Sequence, residues 1–207
     1  MYIPAVNRID DPATIHALLR DYGFATVVTQ HGEEVSASHL PVLFDEPASG
    51  QGTLRSHMAR ANSQWKQFVR EREVLCIFHG PHAYISPQWY VQQHTVPTWN
   101  YAAVHVYGRP TIVTDDAALE KIVRDTTEKY EALMPQAWTL PLSQDELAPM
   151  MKAIVGFTIE ITRIEAKFKL GQNKSPEDRA GTVRGLEQSG HLPSLELAQF
   201  TRAQLGL

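Results

Sequence analysis

Two histidines three residues apart, His79 and His82, open the densest run of chemically able side chains in the chain, FHGPHAYISPQWY at 78–90. Catalytic zinc needs three protein ligands in a fixed tetrahedral array. Here Gly80-Pro81 separates the pair and reads as a turn, so the i, i+4 geometry of a helical zinc pair is absent. His94 and His105 could supply a third ligand, but nothing in the spacing demands one. The expectation is a set of polar histidines at a strand end and no metal site.

Three further stretches concentrate donors. In LRSHMARANSQW (54–65) a strand ends at His57 and a helix is expected near Asn62. Free N–H groups at a helix start attract phosphate. Arg55 and Arg60 could add charge-assisted bonds, and His57 and Asn62 further donors. The alternative is an ordinary N-cap at Asn62 or Ser63 with Arg60 in solvent. In VPTWNYAAVHVYG (96–108) Trp99 and Tyr101 bracket Asn100, which suits the wall of a planar heterocycle site, an aromatic lid or a subunit contact. In KFKLGQNKSPEDR (167–179) Lys169, Gln172, Asn173, Lys174 and Arg179 make either a solvated turn or the edge of an anion or cofactor site. No Ser-His-Asp order stands out, and no catalytic residue is assigned. The single cysteine, Cys76, lies in EVLCIFHG and reads as a core thiol.

The elements that position these residues are legible as patterns. Asp11-Pro12 is a helix start, and Gly23 a stop. FATVVTQ (24–30) and VSASHLPVLF (35–44) read as a hairpin around HGEE, followed by a loop at 46–52 and a strand at 53–57. A helix is expected over 62–70, then strands at 73–80 and 83–86 on either side of the Gly-Pro turn. A long strand over 100–113 is interrupted at Gly108 and Pro110. An amphipathic helix covers DDAALEKIVRDTTEKYEALM, a short one 144–152, and the last long strand 154–170. Helices follow from Ser175. The six or seven strands lack the strand–helix alternation of a parallel sheet. The fold expected is mainly β (α+β), an antiparallel barrel with peripheral helices.

Bulk properties narrow the function. The chain has 207 residues, suited to one domain with or without an appended tail. Its net charge of −4 offers no basic face for nucleic acid. One cysteine fits a reducing cytoplasm, and no apolar stretch approaches the ~20 residues of a membrane span.

Several segments together resemble the PaiB proteins: MYIPAVNRIDDP, SASHLPVLF, LRSHMARANSQW, FHGPHAYISPQWY, VPTWNYAAVHVYGRP and IVGFTIEITRIEAKFKLGQNKSPEDRAG. They run in order from Met1 to about Leu186. The resemblance implies an FMN-binding negative transcriptional regulator or flavin-dependent redox protein. It implies a split β-barrel over 1–170 with a C-terminal helical extension over 171–207, and a homodimer with FMN at the subunit interface. It places the FMN phosphate at His57, Arg60 and Asn62, and the isoalloxazine edge along Ser38 and His39. Trp99 and Asn100 would close the cleft, and Lys169 and Gln172 would approach from the partner subunit. Family members usually carry KLSQN where this chain has Gly171, so any role of that hydroxyl is lost. Direct DNA binding would fall to the C-terminal helices with Arg179, Arg184 and Arg202. The alternative is a split barrel for haem or another planar ligand, or a flavin-free partner-binding regulator.

Overall fold

The structure, a computed structural model, describes residues 1–47 and 50–207. Its strands are β1 (Arg8–Ile9), β2 (Phe24–His31), β3 (Glu34–Pro41), β4 (Leu43–Asp45), β5 (Thr53–Ala59), β6 (Val74–Ile85), β7 (Thr98–Ile112) and β8 (Ile154–Lys169). Its α-helices are α1 (Pro12–Asp21), α2 (Asp116–Glu131), α3 (Gln144–Met151), α4 (Pro176–Gln188) and α5 (Leu192–Leu205). The strands form one sheet in the order β3-β2-β6-β7-β8-β5-β4, with β1 added against β8. The expected mainly β, antiparallel class holds. The chain divides into two compact units: Met1–Ile15, His79–Val104 and Glu165–Leu207, and then His16–Phe78 and His105–Ile164.

In the second unit, period-two burial builds the core. Ala25, Val27 and Thr29 of β2, Leu54, Ser56 and Met58 of β5, and Phe157, Ile159 and Ile161 of β8 are all buried. Residues of opposite parity stay partly or fully exposed, apart from buried Gly156 of β8. Ser56 is buried but satisfied, its hydroxyl donating to the Pro41 carbonyl at 2.7 Å, which ties the end of β3 to β5. In the first unit, Ile85, Phe168, Leu170, Leu186 and Leu197 are fully buried or nearly so, and Phe168 meets Phe200 edge-on at 5.2 Å. Trp89 lies in the groove of α4. A Cβ at Gly185 would come within 2.3 Å of its indole, and one at Gly181 within 2.2 Å of its carbonyl oxygen.

Four expectations change. Among the described residues the count is eight strands, because two-residue β1 adds to the sheet and the expected 35–44 strand breaks at Val42, whose N–H donates to the Gly23 carbonyl at 2.7 Å. The helix expected over 62–70 is a 3₁₀ turn, Ser63–Gln67. The two strands expected at 73–80 and 83–86 are one, β6, with no turn at Gly80-Pro81. β6 pairs with β2 only over Leu75–Ile77, so Pro81, which has no N–H to give, lies beyond that ladder. The expected loop at 46–52 lies in part outside the described residues.

Candidate functional site

In the second unit the sequence Asn-Ser-Gln after β5 makes a polar knot. Asn62 caps the 3₁₀ turn by accepting from the Gln64 N–H at 3.0 Å, and its amide donates to the Ser38 hydroxyl at 2.7 Å. Gln64 is buried, and its amide nitrogen donates to Val27 O at 2.9 Å, Thr29 Oγ1 at 3.2 Å and Ser36 O at 3.2 Å. Gln67 closes the ring, accepting from Thr29 Oγ1 at 2.6 Å and donating to Ser36 Oγ at 3.0 Å. His39 is exposed on β3, bonded to Thr26 Oγ1 at 3.0 Å and stacked near Phe24.

Arg60 is exposed, but its fork is engaged. Nε donates to Lys152 O and Nη2 to Ile154 O, both at 2.7 Å, locking the end of α3 to the start of β8. His57 shares a face of β5 with Arg55, which donates to Asp125 of α2 at 2.8 Å. His57 therefore faces the helix side, away from buried Ser56. Its Nδ1 is buried without a partner, and burial holds its pKa below the usual histidine value. Of the five residues expected here, the structure brings Ser38 and Asn62 into contact, leaves His39 and Arg60 at the surface, and turns His57 elsewhere.

In the first unit the phase of β6 slips at Gly80-Pro81, where two successive residues are buried. The slip places His79, His82 and Tyr84 on the same exposed face. Trp99 joins them, its ring 6.4 Å from both His82 and Tyr84. His79 and His82 sit 6.3 Å apart as rings, and burial together with the His82 charge lowers the His79 pKa. Among the described residues no group of three His, Cys, Asp or Glu side chains could hold a metal.

Trp99 and Asn100 alternate along β7 and so leave by opposite faces. Asn100 is only 3% exposed, and it borders a cavity of about 180 Å³ with Tyr90, Thr98, Lys169, Gly171 and Lys174. Lys169 donates to Thr98 Oγ1, and the Lys174 ammonium sits 4.5 Å from the Tyr90 ring centre. Gln172 is not free for a ligand: its Oε1 accepts from Leu170 N at 2.8 Å and its Nε2 donates to Phe168 O. It braces the turn in which Gly171 adopts φ +82°. Sequence reasoning missed Gln64 and Tyr90. The Asn-x-Gln spacing at a turn start was the available signal for the first; Tyr90 carried none.

The comparisons with known proteins agree with this frame. A family described as "Putative FMN-binding domain" matches residues 1–163. The protease synthase and sporulation protein PAI 2 of Bacillus subtilis is 34% identical over 207 residues, covering 99% of this chain and 98% of that protein. Among solved structures, the flavocytochrome Anf3 from Azotobacter vinelandii matches with a TM-score of 0.58 at 17% identity, over 82% of this chain and 73% of that one. The FAD and heme binding protein from Mycobacterium smegmatis matches with a TM-score of 0.57 at 14% identity, over 84% and 79%. At these identities the structural likeness establishes the fold, which is of the split-barrel type. With the match to PAI 2 extending over the whole chain, the protein belongs to the PaiB family of FMN-binding-domain proteins.

Proposed function

We propose that this chain binds FMN and works as a homodimeric redox protein whose flavin state carries its regulatory effect. The observation that carries the reading is the membership of an FMN-binding-domain family over residues 1–163. Each of the two units carries groups suited to a flavin nucleotide. Among the described residues β3 has a strand neighbour on one side only, so backbone N–H and C=O groups near Ser38 and His39 remain for the pyrimidine edge of the ring. Trp99, 54% exposed, and Tyr84, 48% exposed, offer faces for a planar ligand or a second subunit. Lys169 and Asn100 supply donors for anionic oxygens. Arg60 adds positive charge, and its Nη1 is not used by Lys152 or Ile154. Asn62 fixes the position of Ser38; His57 and Gln172 shape their segments.

Bound flavin would supply hydride or electron transfer. The chain's own part is to hold the ring edge, place positive charge near the flavin's anionic groups and cover the ring face. Direct DNA binding has less behind it. The net charge is −4, and Arg202 is engaged with Glu187 at 2.9 Å. No described helix is long and apolar enough to cross a membrane.

The test is a visible absorption spectrum of the purified protein before and after adding FMN and desalting, with light scattering for subunit number. A flavin spectrum retained at about one per subunit on a dimer is expected, as one enclosed site each requires. A colourless monomer that releases added FMN would overturn the reading.

A further inference from the structure

The cavity bounded by Asn100, Lys169 and Lys174 is built differently from two other hollows among the described residues. The cavity at Asp45–Thr53 includes Asp45, Glu46 and Glu160 in its wall, and the cleft between β4 and α2 includes Asp21, Asp45, Asp125 and Glu128. No carboxylate lines the cavity at Asn100. Its wall carries two ammonium groups, two threonines and two asparagines. The nearby acid, Asp178, accepts from the Val91 N–H at 2.8 Å and is not part of the lining.

Asn100 adds an independent observation. It is 97% buried, which ordinarily requires its amide to be satisfied within the protein. Its side chain borders the cavity instead. An amide in the cavity wall beside two ammonium groups is a donor set suited to acceptor oxygens. The two lysines are held in place, Lys169 by Thr98 and Lys174 over Tyr90. The cavity wall at Gly171 has no side chain; a Cβ there would lie 3.8 Å from Asn100 Nδ2.

Size narrows the occupant. The cavity has a volume of about 180 Å³. That is below the ~300 Å³ at which pockets begin to enclose whole drug-sized ligands. It admits a tetrahedral oxoanion with its ester link but not a tricyclic ring. We infer that the Asn100–Lys169–Lys174 cavity is a phosphate pocket, which seats the phosphate group of a phosphorylated ligand. The inference goes beyond the flavin reading and stands without it, since the phosphate is either a flavin nucleotide's or a second ligand's.

The experiment is a titration of the ¹⁵N-labelled full chain with inorganic phosphate, against chloride at matched ionic strength. Saturable shifts are expected at the Asn100 side-chain amide and the Gly171 N–H, with Kd in the millimolar range. Lys174→Met and Asn100→Ala should each weaken phosphate at least about tenfold, the loss of one charge-assisted or buried bond. Lys174→Met removes a half-exposed side chain, so it separates site from fold should Asn100→Ala lower stability. Shifts that do not saturate, that chloride reproduces or that survive both substitutions would overturn the inference. A second arm assigns the source. If FMN displaces phosphate and riboflavin does not, the group is the flavin's; if phosphate and FMN bind together, it belongs to a second ligand. A protein that holds phosphate here but no flavin would refute the proposed function and leave this pocket intact.

Discussion

The knot around Gln64 in the second unit and the cavity at Asn100 in the first are both rich in buried amides and hydroxyls, yet they use them in opposite ways. Around Gln64 the donors are spent within the knot, Asn62 on Ser38, Gln67 on Ser36, Thr29 on Gln67, and Gln64 on two carbonyls and a hydroxyl, while Gln64 Oε1 is buried without a partner. At Asn100 the donors face a cavity with no carboxylate in its wall. A donor-rich sequence therefore says nothing about availability; only the hydrogen-bond partners separate a brace from a binding wall.

Substitution should divide the two regions cleanly. Gln64→Leu removes the donor to Val27 O, Thr29 Oγ1 and Ser36 O and leaves those acceptors buried. An expected loss of about 2–3 kcal/mol would lower the melting temperature by roughly 5–10 °C in a chain of this size. Phosphate affinity at the other region should not move. Asn62→Ala should cost about 1–2 kcal/mol through the lost cap and the lost bond to Ser38. Asn100→Ala should cost less than about 1 kcal/mol, because the side chain borders an open cavity. Thermal melts of the three variants side by side test this order. If Asn100→Ala proves the most destabilising, the amide is a brace and the comparison fails.

Arg60 tests the boundary between the two behaviours. Its charge and position near Asn62 suggested a phosphate ligand, but Nε and Nη2 hold Lys152 O and Ile154 O. Arg60→Ala should lose about 1 kcal/mol of stability, as expected for exposed bonds of this kind. Fluorescence titration with FMN then separates the roles. Affinity falling at least about tenfold would mean the remaining charge reaches the flavin nucleotide. Unchanged affinity would make Arg60 a brace like its neighbours and remove the phosphate assignment at 57–62.

Most of the sheet was legible because strand burial follows a period of two wherever one face is buried. The strand at 24–30 and the strand at 154–170 coincide with β2 and β8 to within a residue. The amphipathic helix opening at Asp115 is α2, with Asp115 capping Ala118 N–H at 2.9 Å. What was hidden depended on partners distant in sequence. Gly80-Pro81 carries the local chemistry of a turn, yet β6 absorbs it as a slip in phase, and that slip gathers His79, His82 and Tyr84 on one face. The helix expected after Asn62 stops at Gln67, since Gln64 and Gln67 turn inward to bond β2 and β3 instead of continuing a helical face. Lys174 was visible as one cation in a donor run, but its place over Tyr90 was not, because no pattern links positions 84 residues apart.

The last test concerns His57, on the face of β5 that it shares with Arg55. Burial lowers its pKa from the model-peptide value of 6.5, so the folded chain resists protonation where the unfolded chain accepts it. As pH falls below about 6.5, the unfolded state takes up the proton first, and stability should decline until the folded imidazole also titrates. Above that pH the group contributes no slope. His79 is lowered in the same direction, by burial and by the charge of His82, so two histidines add to one trend. Urea unfolding of the wild type across pH 5 to 8 should show stability rising with pH and levelling near neutrality. His57→Leu should flatten part of that slope, leaving the share due to His79. A slope unchanged by the substitution would mean that the buried, unpartnered Nδ1 is reached by water or by a ligand, and His57 would return to the list of groups that touch one.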